Sequence, residues 1–167
     1  MELRKFINTT IREYLNENRN LNSLILYHGT NNDFNNFDLK FFNSGSGDGG
    51  WLGYGIYLTN DYEYAESYGD VLECKVTLSN PYILEDYTYS TRPQKLNNEL
   101  GTNNSRETTN KLKELGYDSV MLKYKDETHA WLDEFIEVCI FNPSNIKIIK
   151  RYEHGDDSKD VNIKRGY

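Results

Sequence analysis

The sequence predicts an α+β fold with a mostly antiparallel β-sheet and short flanking helices. Segments with the alternation or apolar content of strands outnumber segments with helical spacing, and the helical segments are short and scattered. The sequence lacks the regular alternation of strands and helices that favours a parallel sheet, and it has no internal repeat. A length of 167 residues suits a single domain with one sizeable core.

The N-terminal residues predict a helix that stands apart from this domain. Leu3, Ile7 and Ile11 recur at helical spacing over residues 3–17, and the polar residues that follow break the pattern. We therefore expect an amphipathic helix and linker over residues 1–22, docked either on the domain or on a partner. The main domain is expected at residues 23–152, followed by a charged, flexible tail at residues 153–167.

Short apolar or alternating runs bounded by Gly, Asn or Pro predict the strands. They lie at residues 24–27, 56–59, 71–78, 117–122, 135–141 and 146–149. The third of these runs is closed by Asn80-Pro81, and residues 85–106 are polar with little periodicity. These features predict a sheet assembled from short strands, with irregular chain between them.

Two short helices are predicted within the domain. Residues 61–68 follow Asn60 and Asp61, either of which can cap a helix. Residues 108–115 end at Gly116, the residue type that most often terminates a helix. Both helices are too short to dominate the fold.

A glycine-dense loop precedes the strand at residues 56–59. Its members are Gly45, Gly47, Gly49, Gly50, Gly53 and Gly55. Such density indicates a mobile loop or a close approach of backbone to a ligand. The loop lacks the Gly-Lys-Ser/Thr of a phosphate-binding P-loop, and the strand pattern after it argues against a Rossmann dinucleotide fingerprint.

Composition narrows the class of protein. The net charge of −7 and the isoelectric point of about 5.0 disfavour a broad nucleic-acid interface. No apolar run approaches the length of a membrane span and the N-terminus lacks a hydrophobic signal core, so a soluble, cytoplasmic protein is expected. The Asn-, Lys- and Ile-rich composition is compatible with a bacterium or its phage. Cys74 and Cys139 lie in predicted strands and are expected to be buried free thiols, and no cysteine or histidine spacing indicates a metal site.

Four residues could carry chemistry, and each also has an ordinary structural interpretation. His28 follows a buried strand and could simply satisfy local hydrogen bonds. Tyr57 and Tyr68 could be packing residues of a strand and a helix. Glu137 is a carboxylate in an apolar strand, which is costly unless the residue serves a site or faces outward from an edge strand.

Taken together, these residues resemble the ADP-ribosyltransferases of the diphtheria-toxin and poly(ADP-ribose) polymerase branch, which carry a His-Tyr-Glu triad on a split sheet. The matching stretches are His28-Gly29-Thr30, the Gly-Tyr-Gly-Ile-Tyr run that ends at Tyr57, and the run from Glu137 to Pro143. The run at residues 116–120 and the Asn-Pro-Ser-Asn-Ile-Lys stretch are similar to small bacterial and phage members. The resemblance covers about residues 24–150.

The resemblance implies that NAD is the substrate and that no metal is needed. His28 would hydrogen-bond a ribose hydroxyl, and the backbone of Gly29, next to Thr30, would pair with the nicotinamide amide. Tyr57 and Tyr68 would sandwich the nicotinamide ring. Glu137 would bind the 2′-hydroxyl of the nicotinamide ribose and stabilise the positive charge that develops as nicotinamide leaves.

Two departures from the family pattern bear on the reaction. Ala65 stands where polymerase-type members have a serine that binds the carboxamide. Phe135 stands where arginine-specific members have a second acidic residue, and Glu134 has the wrong strand parity to replace it. The loop at residues 123–134, with Trp131 and a His129 expected to be solvated, lies where the family selects its acceptor.

The resemblance therefore implies transfer of a single ADP-ribose to a macromolecular acceptor, with protein favoured over nucleic acid. Modification of nucleic acid and simple hydrolysis of NAD are the enzymatic alternatives. A non-catalytic binding module of a phage particle, attached through the N-terminal helix, is the alternative outside enzymology.

Overall fold

The computed structural model describes residues 23–42, 50–84, 92–124 and 135–155. The predicted N-terminal helix at residues 3–17 lies outside the described residues. The first glycines of the dense loop and the acceptor-side loop with His129, Trp131 and Glu134 also lie outside them, as does the tail after residue 155.

Seven strands form one sheet in the order β4-β5-β6-β2-β1-β3-β7. They are β1 (Leu24–Thr30), β2 (Ile56–Thr59), β3 (Asp70–Val76), β4 (Pro81–Leu84), β5 (Ser119–Tyr124), β6 (Phe135–Ile140) and β7 (Ile146–Tyr152). All neighbouring strands are antiparallel except β4 and β5, which are parallel. The predicted α+β class with a mostly antiparallel sheet is confirmed.

In the described part of the chain, three short α-helices accompany the sheet: α1 (Tyr62–Glu66), α2 (Arg92–Leu100) and α3 (Ser105–Glu114). Asp61 caps α1, because its carboxylate accepts a hydrogen bond from the Tyr64 backbone N–H at 3.0 Å. This confirms one of the two predicted caps. Helix α3 begins before the predicted residue 108, because Asn104 caps it by accepting from the Glu107 N–H.

The prediction was wrong for residues 81–84 and 92–100, which it assigned to neither a strand nor a helix. Strand β4 opens with Pro81, which a strand tolerates at its first position because the proline lacks an N–H. The carboxylate of Asp118 accepts from the Ser79 and Asn80 backbone N–H groups at 2.6 and 3.1 Å, which holds β4 beside β5. Helix α2 is polar, and its buried contribution to the core is Leu96, so periodicity alone could not reveal it.

Different segments pack against the two faces of the sheet, which we call the loop face and the helix face. The loop face packs against residues 31–42, whose Phe34, Phe37 and Leu39 cover Leu26 and its neighbours. The helix face packs against α2 and α3 at the β4 end of the sheet. At the β7 end it packs against α1, where Tyr62 and Ala65 meet Tyr27, Val71 and Tyr152.

Both cysteines are buried and free, as predicted. Burial, with a smaller effect of the Glu73 charge, raises the pKa of the Cys74 thiol to about 12, so this thiol stays protonated and unreactive at neutral pH. Within the described residues, no helix has both the length and the apolar character of a membrane span.

Candidate active site

The sheet opens between its two central strands. Strand β1 pairs with β3 along its whole length, whereas its pairing with β2 occurs only at Tyr27 and Thr59. Among the described residues, His28, Gly29 and Thr30 of β1 are therefore not paired with β2 in the sheet. We call the gap between residues 28–30 and residues 56–58 the β1–β2 cleft. A ligand can therefore reach the backbone of β1 from the side, although β1 is a central strand of the sheet.

His28 spans this cleft. Its Nδ1 lies 2.7 Å from the backbone carbonyl oxygen of Tyr57. A carbonyl only accepts, so Nδ1 carries the proton, and the Nε2 of the neutral ring is left with a lone pair. Burial lowers the pKa of His28, opposed by the hydrogen bond to Tyr57. The neutral ring therefore dominates at pH 7, and its Nε2 can accept a hydrogen bond from a hydroxyl.

Two phenylalanines from the loop face hold the His28 ring. The ring centroid of Phe37 lies 5.0 Å from that of His28 and the centroid of Phe34 lies 6.3 Å away, both edge-on. The two phenylalanine rings also contact each other at 5.1 Å. Aromatic packing on one side and the Tyr57 carbonyl on the other therefore fix the orientation of the imidazole.

Gly29 lies directly under helix α1. A Cβ at this position would stand 1.8 Å from the carbonyl oxygen of Ala65 and 2.8 Å from the Cβ of Tyr68. Only glycine allows α1 to approach β1 this closely. The sequence-based prediction was that glycine at position 29 lets a ligand approach the backbone. The structure shows that it also lets helix α1 approach β1.

Tyr57 is held by its hydroxyl group as well as by its ring. The oxygen accepts a hydrogen bond from the Leu52 backbone N–H at 2.8 Å, and the hydroxyl donates to the Gly53 carbonyl at 2.9 Å. The residue is half-buried on the helix face, beside Cys139 across the strand pair. These two hydrogen bonds restrict the orientation of the Tyr57 ring.

Glu137 occupies the middle of a central strand. Strand β6 runs between β5 and β2, and Glu137 faces Leu122 on one neighbour and Thr59 on the other. The alternative of an outward charge on an edge strand is therefore wrong. Its side chain is only 6% exposed. Because cross-strand partners share a face, Glu137, Thr59 and Tyr57 all project to the helix face, the face on which Gly29 meets α1.

A chain of three aromatic rings links helix α1 to the start of β6. The Tyr68 ring contacts Tyr64 edge-on at 5.7 Å, and Tyr64 contacts Phe135 in the same way at 5.5 Å. The hydroxyls of Tyr68 and Tyr64 lie 3.3 Å apart. Tyr68 is 42% exposed while Phe135 is buried, so the chain of rings runs from the surface to a point two residues before Glu137.

A comparison with protein-family models matches residues 19–154 to the family described as ADP-ribosyltransferase in polyvalent proteins. The chain belongs to this ADP-ribosyltransferase family. ADP-ribosyltransferases use NAD as a substrate, and the family implies a macromolecular acceptor. No curated protein matches the chain. The match spans every described element, including the three strands that carry His28, Tyr57 and Glu137.

The two departures from the ADP-ribosyltransferase pattern both occupy buried positions. Ala65 is 2% exposed and packs with Tyr27, Tyr62 and Val71 under α1. Phe135 is 1% exposed. A polar side chain at either position would need a buried hydrogen-bonding partner.

Thr30 plays a local structural role at the end of the His-Gly-Thr motif. Its side chain is buried, and its Oγ1 accepts a hydrogen bond from the Asn32 backbone N–H at 3.1 Å. This bond turns the chain into residues 31–37, which carry the phenylalanines that hold His28. The threonine therefore supports the cleft through the loop that follows it.

The described glycines of the dense loop pack against the protein's own chain. Gly53 has a φ of 122°, and a Cβ there would lie 2.7 Å from the Thr109 hydroxyl. A Cβ on Gly55 would lie 2.5 Å from the Ile140 carbonyl and 2.6 Å from the Cys139 sulfur. These two glycines let the Tyr57 strand seat closely on β6 and α3.

The sequence marked Asn60 only as a possible helix cap, but in the structure it supports the candidate site. Its Oδ1 accepts a hydrogen bond from the Ile136 backbone N–H at 2.7 Å, and its own N–H donates to the Ile136 carbonyl at 3.1 Å. These two bonds fasten the start of β6 one residue before Glu137. No sequence signal distinguishes this asparagine from a helix cap.

Within the described part of the chain, no cluster of three metal-ligating side chains occurs.

Proposed function

We propose that this ADP-ribosyltransferase domain cleaves the bond between nicotinamide and ribose in NAD and transfers one ADP-ribose to a macromolecule, with a protein side chain as the acceptor. The observation that carries the proposal is the position of Glu137. It is a buried carboxylate on a central strand, opposite Thr59, and it shares the helix face with Tyr57 beside the β1–β2 cleft.

NAD binding in this proposal uses both strands that border the cleft. The neutral His28 ring accepts a hydrogen bond from a ribose hydroxyl through Nε2, because its Nδ1 is engaged by the Tyr57 carbonyl. The nicotinamide ring stacks between Tyr57, which is fixed by its hydroxyl, and the half-exposed Tyr68. The carboxamide pairs with the backbone of Gly29, where no side chain can intervene.

The chemical step then depends on Glu137. As the C1′–N bond breaks, its electron pair neutralises the pyridinium nitrogen, and positive charge develops on the ribose. A carboxylate fixed against the 2′-hydroxyl stabilises this charge without reorganising, because the rigid strand already holds it in place. The acceptor then attacks C1′ and gives up its proton, and in this proposal Glu137 accepts that proton.

Glu137→Gln tests the proposal, because the amide keeps the shape of the side chain but loses its charge. We expect release of nicotinamide and labelling of acceptors from radiolabelled NAD to fall by roughly 10²- to 10³-fold, the usual cost of removing a preorganised electrostatic group. Glu63→Gln, an exposed substitution on α1, is the matched control and should stay near the wild-type rate. Mass spectrometry of labelled lysate proteins identifies the acceptor.

The outcomes separate the alternatives. If nuclease treatment removes the label, the acceptor is nucleic acid and not protein. If free ADP-ribose forms and no macromolecule is labelled, the reaction is hydrolysis of NAD. NAD turnover that is equal in wild type and Glu137→Gln would contradict the catalytic assignment. A folded protein that fails to bind NAD in calorimetry would leave the binding-module alternative in its place.

A further inference from the structure

Arg151 on the outer strand β7 aligns with His28 across the sheet. Arg151 pairs with Leu72 of β3, and Leu72 pairs in turn with His28 of β1. Residues in such a row share one face, and two strand spacings put the backbones of Arg151 and His28 about 10 Å apart. Both side chains therefore project to the loop face, with residues 31–37 passing over it.

The guanidinium of Arg151 binds this passing segment. Its Nη2 donates to the backbone carbonyls of Asn32 and Phe34 at 3.2 and 3.4 Å, and it lies 3.4 Å from the Asp33 carboxylate. Its Nη1 donates to the Asp70 carboxylate at 3.0 Å. The planar fork thus joins the start of β3 to the loop after β1, a geometry that a lysine ammonium cannot reproduce.

The other side of the same segment touches His28. Phe34, whose carbonyl Arg151 binds, contacts the His28 ring together with Phe37. Asp70 binds the guanidinium of Arg151, and its carboxylate also accepts a hydrogen bond from the His154 backbone N–H at 3.0 Å. The hydrogen bonds to Asp70 lower the pKa of its carboxyl group, so it stays ionised as the partner of Arg151 at neutral pH.

We infer that Arg151 is a positioning residue for the candidate active site: it holds residues 31–37 against the loop face so that Phe34 and Phe37 fix the His28 ring. The inference rests on the proposed function only where it concerns NAD. Its structural part, that Arg151 controls the surroundings of His28, stands on the contacts alone.

The test compares Arg151→Ala, Arg151→Lys and the control Lys147→Ala, which removes an exposed cation from the same strand. NMR titration of the His28 ring is the first readout, because it needs no activity. Loss of the aromatic cover lets water reach the ring, so its pKa should rise toward the ordinary value in both Arg151 variants and stay unchanged in Lys147→Ala.

The two Arg151 variants separate loop positioning from general stability. Lysine can keep the ion pair with Asp70 but not the bonds to both loop carbonyls. Arg151→Lys should therefore melt close to wild type while its His28 titration resembles that of Arg151→Ala. A folded Arg151→Lys protein whose His28 titrates as in wild type would overturn the inference, even if Arg151→Ala failed to fold.

Steady-state kinetics with NAD provide the second readout. We expect KM for NAD to rise about tenfold in Arg151→Lys, with kcat within about twofold of wild type, because the chemical step at Glu137 is untouched. Equal KM values in Arg151→Lys and wild type would contradict the functional part of the inference. If the wild-type protein neither binds nor cleaves NAD, the proposed function fails while the His28 titration still decides the role of Arg151.

Discussion

Gly29 and Ala65 are in contact through their backbones, so that a Cβ added to Gly29 would stand 1.8 Å from the Ala65 carbonyl oxygen. This contact seats helix α1 on the central strand β1, and it puts Tyr68 beside the cleft. The obstacle is backbone rather than a flexible side-chain end, so the strand and the helix must separate to admit any substituent.

Gly29→Ala should therefore destabilise the fold by about 2–3 kcal/mol, the upper part of the usual range of about 1–3 kcal/mol for overpacking. Chemical denaturation monitored by tyrosine fluorescence measures the change. Gly101→Ala is the control, since its φ of 65° strains alanine but nothing lies within 4 Å, which costs about 1 kcal/mol. Equal losses in the two variants would show that close approach is not what requires glycine at position 29.

Tyr57→Phe should separate the contribution of the Tyr57 ring to NAD binding from that of its hydroxyl group. The phenylalanine ring can still stack, but the Leu52 N–H and the Gly53 carbonyl lose their partner, which costs about 1 kcal/mol of stability. We expect kcat/KM for NAD to fall only a few-fold in Tyr57→Phe and much further in Tyr57→Ala. Tyr54→Phe is the control for loss of a hydroxyl, because that group donates to the Leu39 carbonyl outside the cleft. Equal kcat/KM values for Tyr57→Phe and Tyr57→Ala would rule out stacking.

Acid should weaken the fold through His28. Burial lowers the pKa of His28 in the folded protein, so the unfolded chain binds the proton more readily. The stability due to the neutral ring is then complete above the ordinary histidine value near 6.5, and it is lost as the pH falls below that value toward the folded pKa. The free energy of unfolding should therefore fall more steeply in wild type than in His28→Asn as the pH is lowered from 7.5 to 5. His154→Gln, at an exposed position, should follow wild type, and a parallel decline in all three proteins would refute the assignment.

The sequence predicted those parts of the fold that local pattern determines. The apolar runs around Leu26, Leu58 and Val138 gave three central strands, and Asp61 gave the start of α1. Strand β4 and helix α2 were missed because their support comes from elsewhere in the chain. Asp118 holds the start of β4, and α2 buries Leu96 within an otherwise polar stretch.

The candidate site could be recognised from its motifs, but its geometry could not. The hydrogen bond from His28 to the Tyr57 carbonyl joins residues 29 positions apart, and it depends on where the two strands diverge. Arg151 gave no signal in the sequence, because it binds the loop through the backbone carbonyls of Asn32 and Phe34, and every residue has a carbonyl. Motifs thus named the side chains that meet NAD in our proposal, and the tertiary structure revealed those that hold them.

The pairing of β2 with β6 also governs when the site can come into existence. Asn60 and Ile136, which fasten these strands together, lie 76 positions apart, so their contact closes a long loop and cannot form before residue 136 has been synthesised. During synthesis, a growing chain that has not yet reached β6 contains His28 and Tyr57 but lacks the carboxylate. The proposed activity is therefore withheld until most of the domain has been translated.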